Sequence, residues 1–473
     1  MTKVALIGGD YQTRSLIAEA QRCVNLYPEK NPEDASAPFT YYPTPGLTKR
    51  GQGINGVVRG LYTSSNNKLY AVIGTNVYYV DSNWGMNLLG TLNVSATNPV
   101  DMQDNSTTLV IVDGSTYGYT VDLISNAFAV LVDGTGSFVG ATSVTYLDSF
   151  TLFNNPGTKQ FYTTLSNSLL FDPTYYASKT TAPDQLMTVN VKGSEIWLFG
   201  QKTSEVWYNA GNAAFPFQEI SGTGLAIGTI AKYSVAKDSD SFYFLSRDER
   251  GQTVVLMTKG YDTIKVSTFA LENTWVTYTV DDAIGYTYQY GGHTYYVLTF
   301  PTSDATWVLD ITMGQWFQWG WSDNAGTLHR HRSNCFASAY NKLVVGDYQN
   351  GAIYTLEKDV FTDNGDPIVH IRGFPHLGDD SKRVIYNQFI ADMEVGNSPP
   401  GSPQDVSLRW SDTRGKSWGN PVLQTIGASG AFLTTIQWRR LGMARDRVFE
   451  LSWSFPYFTA ISGAYVDTTT CLT

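Results

Sequence analysis

The residues best spaced for chemistry are an alternating run of bases, His329, Arg330, His331 and Arg332. Side chains on an extended strand alternate between its faces, so the run predicts both imidazoles on one face and both guanidinium groups on the other. Two imidazoles can begin a metal site, but zinc takes at least three protein ligands and no third lies nearby in sequence. An exposed edge strand is the plainer reading, with a basic strip facing a neighbouring subunit or DNA as the alternative. Asp238, Asp240, Asp281 and Asp282 sit beside aromatic residues, as glycoside-cleaving carboxylates do, but such pairs are defined by their separation in space. A GxSxG elbow, a phosphate-binding glycine loop and an HExxH helix are missing. Five His in 473 residues leave few proton shuttles. No catalytic, cofactor-binding or metal-ligating residue is nominated, and an enzyme is not expected.

Two charged groups are better suited to contact than to catalysis. Arg439, Arg440, Arg445 and Arg447 form the densest basic cluster. Guanidinium groups fork onto carboxylates, so the cluster predicts an assembly contact with an acidic neighbour, against the plainer reading of a solvated hairpin. Between Leu69 and Thr158 there is no Lys or Arg but there are seven Asp: Asp81, Asp101, Asp104, Asp113, Asp122, Asp133 and Asp148. These make either an ordinary solvated surface or a wall that repels a polyanion so that it slides past; Asp81, Asp101, Asp104 and Asp113 are the candidates for such a DNA channel. The net charge of −10 argues against a protein that reads nucleic-acid sequence, which needs a basic face. Ser411 to Trp418, SDTRGKSW, resembles the Asp-box turn of sialidase-like propellers, with Thr413 and Arg414 departing from the pattern. That motif is structural: Asp412 is expected to tie the turn and Trp418 to pack beneath it.

The elements that carry these residues are strands. Aromatic residues reach 14% with 30 Tyr, Gly numbers 43, and charged residues are only 16%. Aromatics suit half-buried pleated surfaces and Gly suits tight turns, so the chain reads as all-β. One hairpin, an apolar strand, a polar turn and an aromatic-rich strand, recurs from Lys68, Thr107, Ser149, Ser194, Ser241, His293 and Asn341. The starts are roughly 40 to 50 residues apart, room for the four short strands of a propeller blade. Residues 56–366 therefore predict a β-propeller of six or seven blades, seven preferred. A long β-sandwich is the rival, but it rarely repeats one hairpin at even spacing.

Residues 1–55 read as an extended N-terminal arm, with a short helix at Ser15–Cys23 followed by a Pro-rich run that reaches a neighbouring surface. After 366 the repeat stops, and 367–473 read as a C-terminal β domain of sandwich type. Its charge balance differs, with ten Lys and Arg against nine Asp and Glu. Cys23, Cys335 and Cys471 suit neither a disulfide framework nor a metal, which fits a reduced cytosolic assembly. The start, MTKVALIGGDYQTRS, lacks the pattern of a signal peptide, and no 18-residue apolar run predicts membrane insertion.

Five segments carry a resemblance: QRCVNLYPE from Gln21, TPGLTKRG from Thr44, GVVRGLY from Gly56, SLRWSDTRGKSWGNP from Ser407, and WRRLGMARDRVFELSWS from Trp438. In order and position they resemble the packaged-DNA-stabilisation proteins of short-tailed phages, the tail accessory, hub or nozzle proteins. The resemblance spans nearly the whole chain but is specific at its two ends. It implies a virion protein, assembled in the host cytoplasm, that multimerises as a ring, a hexamer, below the portal and adaptor rings. Such a ring retains packaged DNA, forms part of the ejection channel through which double-stranded DNA passes non-specifically, and holds tailspikes, fibres or a plug protein. It brings no catalytic residue and no cofactor. The alternative is a glycan-binding or glycan-cleaving propeller of the tail, a receptor binder or depolymerase, which the aromatic richness would suit.

Overall fold

Each repeated hairpin folds as its alternation dictates. In a computed structural model of the chain, which describes residues 2–471 except 5, 7, 36, 132–134, 402 and 403, Leu69–Ile73 and Asn76–Val80 pair antiparallel across a two-residue turn. Gly74 takes φ 57° at that turn, the positive region glycine enters without steric cost. Val58–Thr63 and Met86–Thr91 flank the hairpin and complete a four-stranded sheet.

Five further sheets repeat this order. Their first strands are Asp101–Asp104, Val144–Leu147, Leu186–Lys192, Ala236–Asp238 and Ile284–Tyr290, and each is followed in sequence by its three partners. A seventh sheet is composite. Ser333–Ala339, Lys342–Asp347 and Ala352–Glu357 supply three strands, and Gly46–Gln52 from the N-terminal segment pairs antiparallel with the third. Six blades are thus continuous in sequence, and the seventh is closed by a strand borrowed from the other end of the chain. The inner strand Ser333–Ala339 packs against Val58–Thr63, so the wheel is shut. Close approach of inner strands explains Gly60, where a Cβ would lie 2.7 Å from Val100 Cγ2. Aromatic layers seal neighbouring blades: Trp197 and Phe199 of one meet Phe242 and Phe244 of the next. Each such buried side chain contributes about 1.5–3 kcal/mol relative to exposure.

The N-terminal segment departs from expectation. Ser15–Cys23 is not a helix: Tyr11–Gln12 and Ala20–Gln21 form a small hairpin, and Cys23–Val24 is a strand. The Thr13 hydroxyl bonds the Glu19 carbonyl and accepts from the Glu19 N–H, and Ala20, Cys23 and Val24 are buried, so local ties and packing override helix propensity. Among the described residues the one α-helix is Phe269–Trp275, its N-terminus capped by Thr268. Cys23–Val24 lies between Gln315–Ser322 of the sixth sheet and His370–Gly373 of the C-terminal region, and joins them. Leu26–Lys30 and Phe39–Pro43 form a hairpin that pairs with Ile461–Thr470. The arm is therefore strand throughout much of its length, stitched into both regions.

The C-terminal region is two facing sheets. One holds Val384–Met393, Ile436–Arg439 and Ile461–Thr470; the other holds His370–Gly373, Asp405–Ser411, Val422–Thr425 and Asp446–Trp453. Phe389, Trp438, Phe449 and Leu408 fill the space between, in a core continuous with Tyr295, Phe317 and Trp319 of the propeller.

Candidate assembly surfaces and the propeller axis

The four arginines divide sharply. Arg447 is 1% exposed. Its Nε and Nη2 donate to the two carboxylate oxygens of Asp412 at 2.6 and 2.9 Å, and its Nη1 donates to the Leu441 carbonyl at 2.6 Å. The guanidinium lies 4.4 Å from the centre of the Tyr386 ring. Arg447 is a core group and cannot meet a neighbour, which corrects the expectation of an assembly contact there: its strand, Asp446–Trp453, turns the side chain inward against Tyr386 of the facing sheet. Arg439, Arg440 and Arg445 are exposed. Arg439 ends the strand Ile436–Arg439, and Arg440 turns the chain at φ 59° with its N–H on the Asn387 carbonyl.

Apolar side chains flank this basic face. Ile385 and Met443 are paired across strands and exposed, as are Val422 and Leu423. Beyond them Phe432 and Leu433 protrude from the loop before Ile436, 68% and 97% exposed. Single exposed apolar residues are ordinary; a group beside uncompensated cations on one domain is the usual mark of a contact surface. The apolar members lay in short strands and a loop, so alternation alone did not separate them from core.

The turn at SDTRGKSW is tied by Ser411, not Asp412. The Ser411 Oγ accepts from Gly415 N–H at 2.8 Å, and the Thr413 Oγ1 accepts from Ser417 N–H at 2.8 Å. Asp412 instead reaches Arg447, and Arg409 lies 4.8 Å from the Trp418 ring centre.

The four acidic candidates are scattered over the first two blades. Asp81 caps its own turn, accepting from the N–H groups of Asn83 and Gly85 at 2.9 Å, and these bonds hold its carboxyl below the usual range. Asp104 is buried and accepts from the Tyr62 hydroxyl at 2.8 Å and Ser65 N–H at 3.0 Å. Asp113 is buried and accepts from Ser115 N–H at 3.0 Å. Asp101 accepts from Val144 N–H at 2.9 Å, linking two blades, and burial pushes its carboxyl up to about 6. Asp104 and Asp113 therefore cannot line a DNA channel: a buried carboxylate presents no charge to a passing chain. Asp133 lies outside the described residues.

The run from His329 to Arg332 is broken, since Leu328–Arg330 ends before Ser333–Ala339 begins. His329 bonds Asp304 at 2.7 Å; Arg330 is buried with its guanidinium 3.7 Å from the Tyr348 ring centre; His331 is buried, which lowers its imidazole to about 4; Arg332 pairs with Asp366 at 3.0 Å. Among the described residues no three His, Cys, Asp or Glu side chains are grouped to hold a metal ion. Among the described residues no helix is long and apolar enough to cross a membrane. Asp238 and Asp240 lie at a hairpin on the fifth sheet, while Asp281 and Asp282 are consecutive residues on one loop, where Asp282 accepts from Thr302 N–H at 2.8 Å.

The propeller axis holds two adjoining cavities. An inner one of about 240 Å³ is walled by Arg59, Asp101, Ser143, Lys232, Tyr233 and Phe336, among others. The outer one, about 430 Å³, shares Lys232, Tyr233 and Asn334 and adds Asp281, Asp282 and Arg330. These are volumes for a small molecule, roughly the 300–1,000 Å³ of ordinary ligand pockets. They are not volumes for a duplex, whose major groove alone is about 12 Å wide. Arg59 escaped the sequence reading, although a charged residue inside the apolar strand VVRGLY was the signal that could have found it.

Two family models agree with this architecture. The family model described as "Bacteriophage P22 Gp10, beta-propeller" matches residues 2–361, and the one described as "Bacteriophage P22 Gp10, beta-sandwich" matches residues 370–469. Among solved structures, the WD40 beta propeller domain of Doa1 is similar at 13% identity and a TM-score of 0.41, over 66% of this chain and 98% of that one. No curated protein matches the chain.

Proposed function

The chain belongs to the bacteriophage P22 Gp10 family, a phage tail protein with a propeller and a sandwich, and from that premise we propose that it forms a ring in the tail that retains packaged DNA and surrounds the ejection path. The observation that carries the reading is the pair of family matches, which cover both regions in order. The role is structural rather than catalytic, and the place of work is the virion tail.

The geometry supports one refinement. The wheel's own axis is too small for duplex DNA, so the channel lies between subunits, with each propeller forming part of its wall. Arg439, Arg440 and Arg445, with Ile385, Met443, Phe432 and Leu433 nearby, supply a surface for a ring neighbour or for the portal, adaptor, tailspike, fibre or plug proteins. Of the acidic candidates Asp104 and Asp113 are buried and Asp101 lines the inner axial cavity, so any repulsive lining runs through the partly exposed Asp81. Cryo-electron microscopy of purified particles tests the proposal: a symmetric ring of this chain below the portal is expected. Particles that lack the chain, or that carry it as isolated copies away from the DNA path, would overturn it.

A further inference from the structure

Around the propeller axis, three cations stand without an ion-pair partner among the described residues. Arg59 is 0% exposed, yet its guanidinium bonds only carbonyls, Nε to Asn98 at 2.7 Å and Nη1 to Gly74 at 3.1 Å. Its Nη2 has no partner among the described residues. Arg330, buried, leaves its Nη1 equally unmet. Lys232, partly buried, lines both cavities and has no carboxylate within ion-pair distance among the described residues. The Tyr233 hydroxyl, in the same wall, is buried and unpartnered as well.

Buried charge in folded proteins is paired, or it holds something. The charges of Asp113 and Asp282 act on Arg59 and Arg330, but among the described residues neither lies within ion-pair distance of them. Asp101 accepts from the N–H groups of Val144 and Met102; Asp282 accepts from that of Thr302 through Oδ2 and leaves Oδ1 unmet, as Asp113 leaves its Oδ2. Asp281 stands exposed at the outer cavity. The inner cavity thus offers Arg59, Lys232 and a free phenol against one lining carboxylate, which is already bonded.

We propose that the propeller axis is a binding site for an oxyanion, the phosphate or carboxylate of a small molecule. The acidic group sits in the inner cavity against Arg59, Lys232 and the Tyr233 hydroxyl, and the molecule's body occupies the outer cavity beside Arg330 and Asn334. The cavities share Lys232, Tyr233 and Asn334, and the inner one is lined by residues in or just before the inner strand of every blade, so an occupied site would also brace the wheel.

Titration calorimetry of the full chain with inorganic phosphate, and separately with sulfate and acetate, reads the site directly. Saturable binding of one oxyanion per chain is expected, with a rise in melting temperature that follows occupancy. Lys232→Met should weaken it roughly tenfold or more, the usual loss when a charged hydrogen bond is removed. This substitution removes no hydrogen bond that the fold uses, so the wheel remains intact, as a circular dichroism melt without ligand will show. Arg59→Met should abolish binding but also costs two carbonyl contacts, so Lys232→Met is the deciding variant. Absence of saturable binding by any of the three anions, or equal binding by wild type and a folded Lys232→Met protein, would overturn the proposal.

Discussion

Arg447 and Asp412 offer the sharpest test of where the arginine cluster belongs. Replacing Asp412 with Asn leaves a guanidinium, 2% exposed at its side chain, with one carbonyl and aromatic faces for company. Breaking a buried ion pair from one side costs about 3–5 kcal/mol. Asp412 is 43% exposed, however, and water screens that end of the pair, so about 2–3 kcal/mol is the reasonable expectation. Arg447→Met removes the charge, keeps most of the stem's volume and leaves Asp412 facing water; about 1–2 kcal/mol is expected. The double variant should cost less than the sum by about 1–2 kcal/mol, because each single change already removes the shared bonds. Urea denaturation followed by tryptophan fluorescence gives the three values, and sedimentation velocity gives the assembly state of the same samples. If Arg447→Met unfolds at the wild-type urea midpoint yet no longer assembles, the assignment of Arg447 to the core is wrong.

The exposed arginines should behave oppositely: Arg439→Glu, Arg440→Glu and Arg445→Glu together should leave monomer stability within about 0.5 kcal/mol, and weaken assembly in sedimentation most at low salt. Asn25 takes φ 54°, donates from Nδ2 to the Gly320 and Val369 carbonyls at 2.8 Å and accepts from Gly320 N–H at 2.9 Å. Asn25→Ala should cost about 2–4 kcal/mol, read as a lower urea midpoint, because it orphans buried backbone groups and strains a left-handed residue. Burial raises the Asp363 carboxyl from 3.8 to about 7, so the stability that its protonated form contributes is full below pH 4 and is lost as pH rises through 7. Asp363→Asn should therefore leave the midpoint at pH 4 almost unchanged and raise stability at pH 8 by an amount on the order of 3 kcal/mol.

What could be read from the sequence was what is local. A hairpin such as Lys68 to Asp81 declares itself through alternation and turn residues, and all seven copies form the second and third strands of a sheet. The closure could not be read, because Gly46–Gln52 finds Ala352–Glu357 some three hundred residues away and neither segment encodes its partner. The helix expected at Ser15–Cys23 failed for the same reason: favourable propensity there amounts to a few tenths of a kcal/mol per residue, less than burying Cys23 and Val24 between two sheets provides. In the arginine cluster, sequence alone offered no means to tell Arg447, which faces inward on Asp446–Trp453, from Arg445 two residues earlier, just before the strand begins. The acids misled likewise, since the Asp that starts or ends a strand satisfies a turn before it faces a channel.

The arm decides how such a molecule can work in a ring. Cys23–Val24 joins the sixth sheet to the C-terminal sheets, Leu26–Lys30 and Phe39–Pro43 extend one of them, and Gly46–Gln52 closes the wheel. The His370 imidazole on the Asn25 carbonyl, at 2.8 Å, adds a further buried tie. Propeller and sandwich are thereby one body with a shared core, and hinge motion between them would break strand pairing at several points at once. On the proposed reading, retention and release of DNA cannot come from flexing of the subunit. They must come from rigid subunits shifting against one another, or from a separate plug that leaves. The loops that remain free of the seam, such as the one carrying Phe432 and Leu433, are where subunit contacts can rearrange without loss of fold. Pinning that loop by a disulfide to a neighbour should slow ejection without lowering the melting temperature, whereas stiffening the arm should do neither.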